Sequence, residues 1–136
     1  MKRSVYSFVL LWFTVGLSNC KPDLGGPTAF NVAGVYQLIW YIRATTSDDN
    51  PSGTIQVTQV DEDHINLVIE GQSGKTKIKY TYNDVIVSDN GDDSNGQITY
   101  NLTYKKKVIG TARIDGVSRY LVLTPSNNLR LEGLEL

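Results

Sequence analysis

From Gly34 to Leu136 the apolar residues recur at every second position, the period of a strand with one buried face. In residues 35–44, Tyr36, Leu38, Trp40 and Ile42 fall on one face. Ile55 and Val57 alternate with Thr54, Gln56 and Thr58, and Ile65, Leu67 and Ile69 alternate with His64 and Asn66. Ile78, Tyr80 and Tyr82 oppose Lys77, Lys79 and Thr81, and a short apolar run, Val85-Ile86-Val87, follows. The cleanest alternation sets Ile98, Tyr100, Leu102 and Tyr104 against Gln97, Thr99, Asn101 and Thr103. Residues 108–115, 117–124 and 129–132 complete the set. β-Branched and aromatic residues dominate, and no window carries a helical period.

The breaks between these runs are turn chemistry. Asp115-Gly116 predicts a two-residue hairpin turn, residues 71–74 a second turn, and Asn50-Pro51-Ser52-Gly53 the end of the first long connection. No connection has room for a crossover helix. The expectation is all-β: an antiparallel up-and-down meander of 8–9 strands. Each strand needs cover for one apolar face, from barrel closure or from a second sheet. Closure also removes the sheet edges, so the pattern favours a closed barrel, with a β-sandwich as the alternative.

Residues 1–33 follow another pattern. Lys2 and Arg3 precede an uncharged, largely apolar stretch at 4–19, shorter than the ~20 residues of a spanning helix. That order is a secretory signal peptide. Cys20 is the only cysteine, and Leu17-Ser18-Asn19-Cys20 resembles the lipobox of bacterial lipoproteins, with Asn19 replacing the family's commoner Gly, Ala or Ser. The resemblance implies cleavage before Cys20 and acyl chains on it, and two or more chains anchor a protein stably to a membrane. It also implies a place in the cell envelope. Lys21 stands where an Asp would retain such proteins in the inner membrane, which points to the outer membrane. The domain reading is therefore a signal peptide at 1–19, a lipidated cysteine and flexible tether at 20–33, and one barrel domain at 34–136. Pro22, Gly25, Gly26 and Pro27 support the tether.

The charge balance narrows the partners. The chain has 13 basic and 14 acidic residues, and loss of Lys2 and Arg3 leaves 11 against 14. Nothing in that balance calls for nucleic acid, and Lys105, Lys106 and Lys107 read as a solvated turn between two strands.

Phe30-Asn31-Val32-Ala33-Gly34-Val35-Tyr36 resembles the entry to the first strand of the lipocalin-like domains of bacterial lipoproteins. In that family a Gly-x-aromatic opens the barrel and the aromatic plugs its floor; here these are Gly34 and Tyr36. The resemblance further implies a basic residue from a late strand over the plug, either Arg119 or Arg130. A second family signature, Thr-Asp-Tyr, has no counterpart.

Motifs of chemistry are sparse. Residues 71–76 read Gly-Gln-Ser-Gly-Lys-Thr, but Ile69 stands where a phosphate loop needs its first glycine, and the following residues alternate as a strand. Asp89, Asp92 and Asp93, in the most polar loop, are oxygen ligands suited to calcium, without the spacing of a calcium loop. His64 is the only histidine and is expected on the surface, with no further nitrogen or sulfur ligands for zinc. No catalytic constellation is present in the sequence, so the expectation is a protein that is not an enzyme.

The aromatic residues carry the functional expectation. Tyr36, Trp40, Ile78, Tyr80, Ile98, Tyr100, Leu102 and Tyr104 are the candidates to line the barrel. They either fill it, with hydroxyls reaching its ends, or surround a cavity for a small hydrophobic or amphipathic ligand. In the second case Trp40 should report the ligand by its fluorescence. The alternative is a protein-interaction module working through its loops, as an accessory subunit of an outer-membrane assembly or as a lysozyme inhibitor. Ser73-Gly74-Lys75 resembles the Ser-Gly-basic element of lipoprotein lysozyme inhibitors.

Overall fold

The computed structural model of the protein describes residues 28–92 and 95–136. The predicted lipidation site, Cys20, lies outside them. A five-residue helix, α1 (Thr28–Val32), leads into β1 (Gly34–Arg43) and the short β2 (Thr46–Asp48). Then come β3 (Ser52–Gln59), β4 (His64–Ser73), β5 (Thr76–Asp92), β6 (Ile98–Tyr104), β7 (Lys107–Asp115), β8 (Ser118–Ser126) and β9 (Leu129–Glu135). β1 pairs antiparallel with β2 and with β3, from β3 on each strand pairs antiparallel with the next, and β9 returns to β1 from Tyr36↔Glu135 to Arg43↔Leu129. That last ladder decides between barrel and sandwich: eight strands form a closed up-and-down barrel, with β2 as an extra strand on β1. Among the described residues no helix is long and apolar enough to cross a membrane.

The inward faces make one continuous cluster that includes Tyr36, Leu38, Ile55, Leu67, Ile69, Leu102, Leu121 and Leu131. Period-two alternation predicts most of it. The barrel's two ends are unlike. The lower end holds α1, the turn at residues 60–63 and the β7–β8 turn. The upper end holds the connection from β1 to β3 and the turns at residues 74–75, 105–106 and 127–128.

Three local expectations are corrected. The stretch read as tether through residue 33 contains α1, whose Ala29 and Val32 are fully buried. The helix is held by Ala29 N–H, which donates to the Glu62 carbonyl at 3.1 Å, and by the Thr28 hydroxyl, which donates to the Val87 carbonyl at 3.2 Å. The β7–β8 turn is Gly116-Val117 rather than Asp115-Gly116, because Asp115 pairs with Ser118. Gly116 has φ 56°, the first position of a type II′ turn, and leaves Val117 fully in solvent. The two apolar runs at 78–82 and 85–87 are one long strand, β5, bent where Asp84 takes φ 58° and its N–H is caught by Asn66 Oδ1 at 3.0 Å.

The largest correction concerns Trp40. The ladder between β1 and β9 shifts between Leu38 and Trp40, an irregularity that moves one residue out of phase. Trp40 is consequently 39% exposed, and Tyr41 takes the inward place at 2%.

Candidate functional site

At the lower end Tyr36 and one of the two candidate arginines come together. Tyr36 is fully buried and its hydroxyl donates to the Val32 carbonyl at 2.7 Å. Gly133 makes room for it: a Cβ there would lie 3.0 Å from both Tyr36 Cβ and Ile55 Cδ1. Of the two candidate arginines, Arg119 meets this floor. Its Nη1 donates to the Ala33 carbonyl at 3.1 Å and pairs with Glu135 Oε1 at 3.0 Å. Arg130 instead holds Glu132 at 2.6 Å. Burial, and after it the Glu135 carboxylate, push the Tyr36 pKa up to about 12 against the pull of Arg119. Tyr100 accepts from Asn31 Nδ2 at 3.0 Å, which ties α1 to β6. Tyr36, Tyr100 and Leu102 are thus part of the buried core, and Ile98 packs partly buried against it.

The upper end gathers Ile78, Tyr80 and Tyr104 of the predicted set, joined by Tyr41 and Tyr82. Tyr82 and Tyr104 meet edge to face with centroids 5.3 Å apart, and Lys105 Nζ lies 5.2 Å from the Tyr104 ring centre. The Tyr41 hydroxyl is buried with no hydrogen-bond partner. Tyr80 lies beside it, and burial, followed by the Tyr41 hydroxyl, raises the Tyr80 pKa. A buried, unpaired hydroxyl is uncommon because it costs the full desolvation of the group. Sequence reasoning missed Tyr41. The run Ile39-Trp40-Tyr41-Ile42 fits either phase of alternation, and strict period two selects Trp40.

The remaining candidates lie elsewhere. Ser73 is buried and donates to Asp48 Oδ2 at 2.5 Å, so its hydroxyl is not presented on a loop tip. That bond and the Asn50 N–H hold the Asp48 carboxyl below the usual range. His64 Nδ1 sits 2.8 Å from Asp61 Oδ1 and 2.7 Å from Asp63 Oδ1 at the lower end. The bond to Asp61, more than anything else, raises the His64 pKa. These three donors converge within 4.8 Å, as metal ligands do, but one proton between ring and carboxylates accounts for the same geometry. Of the suggested calcium ligands, Asp89 Oδ1 accepts from Gly91 N–H at 2.7 Å, Asp92 ends β5, and Asp93 lies outside the described residues. A groove of about 510 Å³ opens on the rim between Ile42, Val108, Thr124, Leu129 and Arg130; none of the tyrosines lines it.

No protein-family model, curated protein or solved structure matches the chain. The closed eight-stranded meander is itself consistent with a lipocalin-like barrel.

Proposed function

We propose that this chain is a non-catalytic binding module, and that it takes a small amphipathic ligand at the tyrosine-lined upper end. The Tyr41 hydroxyl carries this reading: it is buried without a hydrogen-bond partner, and Tyr80 lies beside it. The lower half is filled, so the ligand belongs at the mouth rather than along the barrel axis. Lys105 beside the Tyr104 ring favours a ligand with an acidic head. The lipid on Cys20 would hold the module in the bacterial envelope, at the outer membrane. The described chain begins with α1 at the lower end of the barrel.

The test uses an amphipathic anion, anilinonaphthalene sulfonate, and the purified protein. Its fluorescence should rise on binding, and Tyr41→Phe should weaken binding about five- to tenfold, the worth of one buried hydrogen bond. Native mass spectrometry of the protein from a bacterial host should also show a co-purified ligand. Failure to bind the probe, together with a bare protein mass, would overturn the reading. Trp40 is on the outer face and is not the reporter the sequence suggests.

A further inference from the structure

β5 begins at Thr76, but its ladder with β6 starts only at Ile86↔Thr103. β4 occupies the other side of β5 from Ser73↔Thr76 downward. Above Ile86, then, no strand among the described residues pairs with the second side of β5. The alternation of an antiparallel ladder, counted from the two-residue turn, makes Gly71↔Ile78 and Ile69↔Tyr80 hydrogen-bonded pairs. Lys77, Lys79 and Thr81 lie between them, so they turn their backbone N–H and C=O groups away from β4. All three residues are exposed. An open strand edge of this length is a template for another chain.

Charge selects what that chain can be. Every lysine of the described residues, namely Lys75, Lys77, Lys79, Lys105, Lys106 and Lys107, lies on the β4–β5 hairpin or the β6–β7 hairpin. The Tyr82–Tyr104 contact sets that turn against β5 just below the open edge. Lys79 meets Glu70 at 3.5 Å; Lys75, Lys77 and Lys106 make no ion pair among the described residues. The lysines also sit where the backbone resists them. Lys105 and Lys106 take φ 47° and 65°, the two positive values of a type I′ turn that Asn-Gly fills without strain. Strained positions of this kind gather at working surfaces. Lysines along an edge repel a second copy of the same edge but attract an acidic strand.

We infer that the upper edge of β5 takes an extended acidic segment of a partner protein by strand addition, with the added strand continuing the line of β6 beyond Tyr104. The segment's main chain pairs with Lys77, Lys79 and Thr81, and its acidic side chains meet Lys77, Lys79 and Lys105. This site uses the outward edge of β5, whereas the proposed ligand lies at the inward tyrosines; Lys105 is the one residue the two share.

The experiment is amide hydrogen exchange on the full-length protein with a capped seven-residue peptide alternating Glu with Thr. Saturating peptide should slow exchange at Lys77, Lys79 and Thr81 at least tenfold and leave Ile78 and Tyr80 unchanged. Thr81→Pro removes one outward N–H without altering charge, and should weaken binding at least tenfold. Lys77→Glu with Lys79→Glu, which keeps every edge donor, should abolish binding and covers the case in which the proline variant fails to fold. Slowed exchange nowhere on β5 would overturn the inference and leave the lysines as guards of the edge. Equal affinity in a folded Thr81→Pro protein would overturn it too, by showing charge contact without strand pairing.

Discussion

The two ends of this barrel use the same residue, tyrosine, in opposite ways. At the lower end the Tyr36 hydroxyl is bonded to Val32, Tyr100 to Asn31, and Arg119 closes over both the Ala33 carbonyl and Glu135. At the upper end Tyr41 is buried without a partner, two lysines hold positive φ, and the upper part of β5 lacks a strand on its second side among the described residues. A region selected for stability satisfies its polar groups, whereas a region selected for binding keeps groups unsatisfied until the partner arrives. The lesson is a difference in sign. Truncation at the lower end should cost stability, and removal of the unusual features at the upper end should increase it.

The largest effect is expected at the floor. Tyr36→Ala removes a fully buried ring against Ile55 and Gly133 and should destabilise the protein by about 3–5 kcal/mol in urea unfolding. Tyr36→Phe keeps the ring but strands the Val32 carbonyl, a loss of about 1–2 kcal/mol. A neutral Tyr36→Ala would show that α1 and the floor do not hold the barrel closed, and the contrast between the ends would fail.

Tyr41→Phe should move the other way. Deleting a buried hydroxyl that has no partner should stabilise the unliganded protein by about 1 kcal/mol or more, while weakening the probe described above. Loss of stability in this variant would mean that Tyr41 finds its hydrogen bond inside the folded protein, and its claim as a ligand group would go with it.

How much of this contrast was legible beforehand depends on the element. The alternation in β6 places Tyr100 and Leu102 inside without ambiguity, because polar residues separate them. Gly34, Tyr36 and a late-strand arginine also foreshadow the floor, and geometry picks Arg119. Tyr41 was hidden because four successive apolar residues, 39–42, fit either phase, and the irregularity in pairing with β9 that resolves them is a long-range property. The open edge of β5 was hidden for a related reason. Its residues alternate like any paired strand, and only the ladder's start at Ile86 shows that the neighbour stops short. The turn at Lys105-Lys106 reads as solvated lysines, as it is; its left-handed backbone follows from the Tyr104↔Lys107 pairing, which no local composition signals.

That turn supplies the next test. Replacing Lys105-Lys106 by Asn-Gly fits the same turn without the clash an L-side chain meets at positive φ. It should stabilise the protein by about 1–2 kcal/mol, read as a rise in Tm of several degrees. The same change should weaken the acidic peptide, since two positive charges leave the foot of the open edge. A change in stability without one in binding would confine the lysines to a structural role and sharpen the upper end to Tyr41 alone.

The smallest effect concerns pH and belongs to the lower end. His64 bonds Asp61 and Asp63, and its pKa is raised, so the folded state favours the protonated ring. Stability from a raised histidine is complete below its ordinary pKa of ~6.5 and is lost as pH rises through the higher folded value. Asp61 works in the opposite window. Its bond to His64 lowers its pKa, so its share is present above the ordinary carboxylate value and fades as pH falls through the depressed one. The pair is strongest in mildly acidic solution. His64→Asn should therefore reduce Tm most in mildly acidic solution, below the ordinary histidine pKa, and least at alkaline pH above the raised folded value. The turn that carries these groups also holds α1 through the Glu62 carbonyl, so exchange of the Ala29 amide should quicken with the loss of His64 charge beyond the base-catalysed trend. A wild-type-minus-variant difference that is flat with pH would show that the ring and carboxylates share no proton. The three groups would then be free to act as the ligands their spacing permits.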